Sequence, residues 1–118
     1  MATIAQTTGV STASAAIALT GTTLTASDTL TYVQGAVQRI NLVNGTGSTV
    51  TVTFTGTAPN TVIPVTGYGS VSAAGGKAIA VPANSTMHLN LDNISNYLAG
   101  TGAVTVTGGT GVTAFLYV

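Results

Sequence analysis

The chain has 118 residues, which fits one domain, and its charged residues make up only 3% of the total, against roughly 25% in an ordinary soluble domain. Its ionisable acids and bases are Arg39, Lys77, Asp28, Asp92 and His88, and the formal net charge at pH 7 is zero. Net charge near zero favours association, because little electrostatic repulsion keeps the copies apart. The composition therefore indicates a protein that works while packed against other protein.

The same composition excludes several kinds of ligand. No cysteine is present, so disulfides and thiolate metal sites are ruled out. The balanced charge offers no basic face for nucleic acid. No run approaches the ~18 continuous apolar residues of a membrane helix. We therefore expect neither nucleic acid nor a membrane as a direct partner.

Residues 1–25 are compositionally simpler than the rest of the chain. Residues 1–21 are small and apolar, as in an export signal, but they lack a basic start and are interrupted by Thr, Ser and Gln. We predict an N-terminal arm or first edge strand over residues 1–25 and one sandwich domain over residues 26–118.

Apolar and polar side chains alternate along several segments. In residues 49–55, Val50, Val52 and Phe54 face one way and threonines face the other, which predicts a strand with one buried face. Threonine, with 24 copies, and valine are β-branched and suit a pleated strand. Residues 112–118 are apolar on both faces, which predicts a strand that is central in its sheet or is covered on its second face. The other alternating segments are residues 29–33, 87–91, 103–107 and 112–118.

Glycine-rich segments separate these predicted strands. Residues 44–47 read Asn-Gly-Thr-Gly and residues 108–111 read Gly-Gly-Thr-Gly, and both have the composition of hairpin turns. Residues 67–76, which are rich in Gly, Ser and Ala, predict a loop. Asp28 is expected in a turn that follows Ala26 and Ser27.

One short helix is predicted near residue 95. Asp92 stands at an N-cap position, Ile94, Tyr97 and Leu98 recur at helical spacing, and Gly100 stands where a C-cap glycine belongs. With six to eight short strands, the chain is predicted to be all-β. The predicted fold is a single antiparallel β-sandwich, of jelly-roll or immunoglobulin-like type, with one short helix and an N-terminal arm.

No set of residues predicts catalysis or metal binding. His88 is the only histidine, and the alternation directs Met87 and Leu89 into the core and His88 away from it. A transition-metal site takes three or four ligands, and a Ser-His-Asp triad needs a positioned nucleophile; neither pattern is present. We predict no enzyme, no metal and no cofactor, and we name Tyr68, His88 and Arg39 as candidate partner contacts. Tyr68 is included because an exposed tyrosine in a glycine-rich loop can anchor an interface.

The C-terminal half resembles a known class of viral proteins. The resemblance is carried by Val-Pro-Ala-Asn-Ser-Thr at 81–86, the alternation at 87–91, Ile-Ser-Asn-Tyr-Leu at 94–98 and Val-Thr-Val-Thr-Gly-Gly-Thr-Gly-Val-Thr-Ala at 104–114, and it continues through residues 38–56. These segments resemble small proteins encoded beside the major capsid protein of tailed bacteriophages. The resemblance implies a head decoration, or cement, protein that is made in the bacterial cytoplasm and binds the outer surface of the capsid.

Such a protein is expected to be a structural part of the virion and to stabilise contacts between capsomers. The resemblance implies the major capsid protein as partner, self-association as a homotrimer, and no shared catalytic residues. Two alternatives remain open at the level of sequence. One is a tail, fibre or surface-layer β-module that binds another protein, and the other is a carbohydrate-binding β-sandwich with exposed tyrosines.

Overall fold

The computed structural model describes residues 2–10, 15–56, 62–65, 67, 69–72, 75–98 and 102–118. Within these residues the chain forms eleven strands and, after the ninth, a 3₁₀ turn (Leu91–Ile94) that continues into a one-turn α-helix, α1 (Ser95–Leu98). The strands are β1 (Gln6–Thr7), β2 (Thr22–Thr23), β3 (Ser27–Tyr32), β4 (Arg39–Asn44), β5 (Val50–Gly56), β6 (Val62–Val65), β7 (Gly69–Ser72), β8 (Lys77–Val81), β9 (Ser85–Asn90), β10 (Gly102–Thr107) and β11 (Val112–Tyr117).

Two sheets form the body of the molecule. Sheet A has the strand order β3-β10-β5-β8, and sheet B has the order β11-β4-β9, with β1 and β2 both pairing with the far side of β11. Alternate residues of both sheets point into one core, whose largest members include Tyr32, Phe54, Leu42 and Leu91. The predicted all-β sandwich is confirmed, and so is the central position of residues 112–118.

The antiparallel pairs are nested along the chain. β2 pairs with β11, β3 with β10, β4 with β9 and β5 with β8. The chain is thus arranged as one long hairpin whose two arms are rolled into a sandwich, so that strands β2 to β5, and again β8 to β11, alternate between the sheets. Within the described residues, β6 and β7 pair only with each other, at the tip of this hairpin. This is the double Greek key of a jelly roll. Of the two sandwich types predicted, the strand order selects the jelly roll.

Both glycine-rich segments predicted as hairpin turns are connections between sheets, so that prediction is wrong. The segment after Asn44 joins β4 of sheet B to β5 of sheet A, and residues 108–111 join β10 of sheet A to β11 of sheet B. The reason is that strands facing each other across a core alternate in the same way as strands paired side by side. Alternation and turn composition therefore do not distinguish the two arrangements.

Two further local predictions need correction. Gly69–Ser72 forms β7, which pairs with β6, so a strand lies within the loop predicted at 67–76. Asn90, rather than Asp92, is the N-cap of the helical turn, and its side chain accepts a hydrogen bond of 3.1 Å from the backbone N–H of Asp92. Gly100, predicted as the C-cap, lies outside the described residues.

Three consecutive crossings between the sheets are each held by one buried polar side chain. Asp28, predicted in a turn, is fully buried in β3 and accepts hydrogen bonds of 2.7 Å from the backbone N–H and the hydroxyl of Thr25, in the β2–β3 connection. Gln38 holds the β3–β4 connection, because its Oε1 accepts from the N–H of Val33 at 2.6 Å and its Nε2 donates to the carbonyl of Thr31 at 2.9 Å.

Asn44 holds the third crossing, from β4 to β5. Its Nδ2 donates to the carbonyls of Ser48, Val81 and Pro82 at 2.9–3.2 Å, and its Oδ1 accepts from the N–H and the hydroxyl of Thr46. The same amide therefore ties the β4–β5 connection to the β8–β9 connection. Among the described residues no buried side-chain nitrogen or oxygen lacks a partner.

The N-terminal residues cover one side of the sandwich. The N–H of Ile4 donates to the carbonyl of Thr29 at 2.8 Å, and β1 runs parallel to the end of β11. Gln6 accepts a hydrogen bond from the buried amide of Gln38. Residues 2–7 thus bridge the β3 edge of sheet A and the β11 side of sheet B, and they add a parallel pair to an otherwise antiparallel sandwich.

Replacement of Asn44 by Asp should severely destabilise the fold. The change removes a donor that serves three carbonyls and puts a buried charge in its place, so we expect the free energy of unfolding to fall by about 3 kcal/mol or more. Asn41→Asp is the matched control, because Asn41 lies on the outer face of the same strand; we expect a change of about 0.5 kcal/mol or less. Denaturant unfolding of both variants measures the difference, and equal losses would contradict the assignment.

A candidate partner-binding face

The outer face of sheet B is a regular three-by-three array of side chains, which we call the array face. Its residues alternate with the buried ones on β11, β4 and β9, and strand register sets them directly opposite one another. The three rows are Tyr117–Arg39–Asn90, Phe115–Asn41–His88 and Thr113–Val43–Thr86.

Two of the predicted contact residues lie on this face. Arg39 is half-buried on β4, and His88 is exposed on the neighbouring strand β9, two residues from the Asn90 that lies opposite Arg39. The structure therefore brings Arg39 and His88 together. The third predicted residue, Tyr68, lies outside the described residues.

His88 has two neighbours on the array face. Its Nδ1 lies 3.1 Å from Oδ1 of Asn41, and its ring centroid lies 6.3 Å from that of Tyr117, with the planes tilted by 39°. Because an amide oxygen only accepts hydrogen bonds, the contact with Asn41 requires a proton on Nδ1. The ring is therefore held in place while its Nε2 remains an acceptor in the neutral form.

Phe115 and Tyr117 were not predicted as contact residues. Both are half-buried on the array face. Gly21 passes directly over the Phe115 ring, since a Cβ at that position would come within 2.8 Å of the ring carbon Cε1. The signal for both aromatic residues was present in the sequence, as the second apolar face of residues 112–118. A second apolar face is compatible with a strand covered by the rest of the chain or with a strand that binds a partner. In the structure, Tyr117 remains partly accessible.

Among the described residues, no aspartate lies beside the positive charge of Arg39. In the described part of the chain neither aspartate lies on the array face, because Asp28 is inside β3 and Asp92 is in the helical turn. The other cation, Lys77, lies on sheet A with its Nζ 5.7 Å from the ring centroid of Tyr97. The array face therefore carries one positive charge within a neutral, partly aromatic surface.

The outer face of sheet A has a different character. Its side chains are small and uncharged, and register aligns them in rows across the four strands. They are Ser27, Thr29, Thr31, Thr51, Thr53, Thr55, Ala78, Ala80, Ala103, Thr105 and Thr107. The two faces of the sandwich thus differ in aromatic and charged content, and this difference makes sheet A a built-in control for sheet B.

Asp92 organises the end of the sandwich opposite Asn44. Its carboxylate accepts hydrogen bonds from the Tyr32 hydroxyl at 2.6 Å, from the N–H of Gly35 at 3.1 Å and from the N–H of Val37 at 3.3 Å. The hydrogen bond from Tyr32 and those from the loop hold the pKa of Asp92 below its usual value. Burial together with the nearby Asp92 raises the pKa of Tyr32 to about 12.

Stability should fall in acid because of two carboxylates. Burial alone would raise the pKa of Asp28, but its hydrogen bonds from Thr25 and Ala2 lower the pKa overall. The hydrogen bonds to Asp92 lower the pKa of that carboxylate in the same way. Carboxylates with a depressed pKa stabilise the folded chain above the ordinary aspartate value of about 3.9, and the effect is lost as pH falls below it. Unfolding measured from pH 7 to pH 2 should show this decline, and Asp28→Asn with Asp92→Asn should flatten it.

Stability should also fall at high pH, through Tyr32. An acid whose folded pKa is raised stabilises the fold below its ordinary value, here about 10, and the effect is lost as pH rises toward 12. Tyr32→Phe should remove this alkaline decline, whereas Tyr117→Phe should leave it in place. An alkaline decline that persists in Tyr32→Phe would contradict the assignment.

Val37 is held in a strained conformation by the loop that Asp92 caps. Its φ is 58°, in the left-handed region that β-branched residues rarely occupy, and its side chain is 44% exposed. Val33, in the same loop, is 42% exposed and has no positive φ. Strain of this kind costs on the order of 1–3 kcal/mol.

Val37→Gly should therefore stabilise the protein by about 1 kcal/mol, because glycine adopts positive φ without steric strain. Val33→Gly is the matched control, and it should destabilise the protein by about 0.5–1 kcal/mol, because glycine only adds freedom to the unfolded chain. Thermal unfolding of the two variants should shift the midpoint in opposite directions.

Two pockets of about 240 and 250 Å³ open on the described surface, and both are lined by neutral side chains. Within the described ranges no three His, Cys, Asp or Glu side chains come together as a metal-ligand set. No helix in the part of the chain that the structure describes is long and apolar enough to cross a membrane.

Comparison with protein-family models, with curated proteins and with solved structures finds no match to this chain.

Proposed function

We propose that the protein is a structural component of a virion, a decoration or cement protein that binds the outer surface of an assembled bacteriophage capsid through its array face. The observation that carries the proposal is the concentration of Arg39, Tyr117, Phe115 and His88 on one outer sheet face of a nearly uncharged jelly roll. Jelly rolls are common among viral capsid domains, which supports the proposal at the level of fold.

The chemistry of the array face suits a protein partner. Tyrosine and arginine are the side chains that most often dominate the binding energy of protein interfaces. Arg39 lies between Tyr117 and Asn90, with no competing carboxylate among the described residues, so its guanidinium is available to an acceptor on the partner. The surrounding surface is neutral, so binding should depend little on salt.

The size of the array face explains why such a protein would act in many copies. Strand spacing makes the array about 14 by 17 Å, or about 250 Å², which is well below the ~800 Å² that each partner buries in a standard interface. A single array face is therefore a weak site. Binding to a repeating shell, with several array faces joined in one assembly, would raise the overall affinity through effective concentration. The resemblance leads us to expect that this assembly is a homotrimer on the major capsid protein.

Carbohydrate binding is the second candidate, and one observation favours it. Tyr117 lies beside His88 and Arg39, which gives an aromatic ring with polar groups around it, and lectins also use jelly rolls. A tail, fibre or surface-layer module would use the same face on a different protein. A glycan array and imaging of labelled particles separate these alternatives from the capsid proposal.

The test is co-sedimentation with expanded capsids assembled without this chain, from the virus that encodes it. Tyr117→Ala and Arg39→Ala should each weaken binding at least tenfold, which corresponds to about 1.4 kcal/mol for a contact at the centre of an interface. Thr53→Ala and Thr105→Ala, on the outer face of sheet A, should change binding by less than about twofold. Unfolding midpoints confirm that all four variants fold.

Two outcomes would overturn the proposal. One is the absence of binding to undecorated capsids, together with capsids that are equally stable without the chain. The other is equal loss of binding from variants on both faces, which would show that the array face is not the contact surface. Glycan binding abolished by Tyr117→Ala, without capsid binding, would establish the carbohydrate alternative instead.

A further inference from the structure

One edge of sheet B is unprotected in the described part of the chain. β9 pairs with β4 on one side, and no described residue pairs with its other side. The two edges of sheet A are treated differently. Ala2 and Ile4 cover the β3 edge at Thr29, and β8, the remaining edge of sheet A, begins with Lys77 and is followed by Pro82. Lysine and proline are typical protections against edge-to-edge pairing, and β9 contains neither.

The direction of each backbone group on β9 follows from one hydrogen bond. The N–H of Leu91 donates to the carbonyl of Gln38 at 3.0 Å, just beyond the register that pairs Asn90 with Arg39. In an antiparallel ladder hydrogen-bonded pairs alternate with non-hydrogen-bonded ones. Leu89, Met87 and Ser85 therefore direct their backbone groups toward β4. Those of Thr86, His88 and Asn90 point to the open edge.

The open edge is self-complementary about His88. In an antiparallel pair of two β9 strands centred on this residue, His88 lies opposite His88 of the second copy, and Thr86 lies opposite Asn90. The two His88 residues can exchange two hydrogen bonds, and the N–H of Asn90 can donate to the carbonyl of Thr86 in the second copy. The carbonyl of Asn90 already accepts the first hydrogen bond of the helical turn, because Asn90 is its N-cap. On the inner face, Met87 lies opposite Leu89. Met87 is 37% exposed in the single chain, although alternation directs it toward the core, and this pairing would cover it.

Charge does not oppose such a pairing. β9 carries no formal charge, and Arg39 is the nearest charged side chain on the array face. Strand spacing places the Cα atoms of the two Arg39 residues about 20 Å apart across four adjacent strands. This exceeds the Debye length of about 8 Å at physiological ionic strength, so their repulsion is screened.

We propose that two copies of this chain pair antiparallel through β9, about a two-fold axis at His88, to form one continuous sheet B. The two array faces then lie side by side in a single plane, which doubles the surface that one assembly presents. The inference goes beyond the proposed function, since it concerns the association of the chain with itself. It also gives a two-fold assembly, whereas the family resemblance implies a trimer, so mass measurement decides between them.

Light scattering during size-exclusion chromatography tests the pairing. A short strand pair buries less than a standard interface, so association should depend on concentration. We expect a mass approaching twice the 11.5 kDa of the chain at about 100 μM. His88→Lys should give a monomer, because symmetry brings the two lysines face to face. Ala80→Lys, on the outer face of the β8 edge, is the matched control and should leave the dimer intact.

A charge swap makes the test specific for the axis. His88→Asp alone should also be monomeric, but an equal mixture of His88→Lys and His88→Asp should recover the dimer, because lysine then faces aspartate. Hydrogen exchange provides a second measurement on the unaltered protein. Dimerisation should slow exchange at the amides of Thr86, His88 and Asn90, whereas those of Met87 and Leu89 should be protected in monomer and dimer alike.

The proposal is overturned by a monomeric or trimeric mass at this concentration, by failure of the mixed variants to associate, or by protection of these amides that is independent of concentration. Capsid binding is tested with different variants, Tyr117→Ala and Arg39→Ala, which lie away from the β9 edge, so the two tests can fail independently. If the chain binds capsids but does not dimerise, the proposed function stands and the β9 pairing is wrong. If it dimerises through β9 but does not bind capsids, the pairing stands and the proposed function is wrong.

Discussion

The fold depends on a requirement that any jelly roll imposes on its connections. From β2 to β5 and from β8 to β11, consecutive strands lie in opposite sheets, so the connecting backbone passes over the ends of the core, where its polar groups lose contact with water. This chain meets the requirement with one buried polar side chain at each of three consecutive crossings: Asp28, Gln38 and Asn44. Each forms hydrogen bonds to backbone groups within or next to its connection. Loss of one of these side chains would leave several backbone groups unpaired at once.

This arrangement also explains how a fold with so few charged residues can satisfy the polar backbone groups of its connections. Both aspartates accept backbone hydrogen bonds, so the acidic side chains of the chain satisfy polar groups of its connections. The two cations remain, one on each sheet, and only Arg39 lies in the middle of an outer face. A sandwich with so little surface charge has little electrostatic protection against association. Its open faces and edges are therefore the parts of the molecule most prone to association.

The sequence could predict the layers of this fold but not its connectivity. Alternation along residues 49–55 and 103–107 identifies which side chains face the core, because the period of a strand is two and burial follows it. The same alternation is compatible with a hairpin within one sheet or with a connection between the two sheets. For this reason the hairpin turns predicted after Asn44 and before Val112 are wrong. What distinguishes them is a long-range contact, such as that from Asn44 to the carbonyls of residues 81 and 82, which no local pattern contains. The array face is predictable in part from the sequence, which indicates Arg39 and His88 as candidate partner contacts. Their proximity is not predictable, because it depends on the pairing of β4 with β9.

The open edge of β9 connects the fold to the proposed assembly. A jelly roll made from one rolled hairpin has strand edges on both sides, and among the described residues the N-terminal segment covers the side formed by β3 and β11. On the other side, the backbone groups of Thr86, His88 and Asn90 point outward from the same strand whose side chains form the margin of the array face. Any partner that pairs with this edge therefore also extends the array face, because the pleat fixes side chains and hydrogen-bonding groups to the same residues. The proposed association through the edge and the proposed recognition through the face are consequently coupled by strand geometry, because His88 belongs to both.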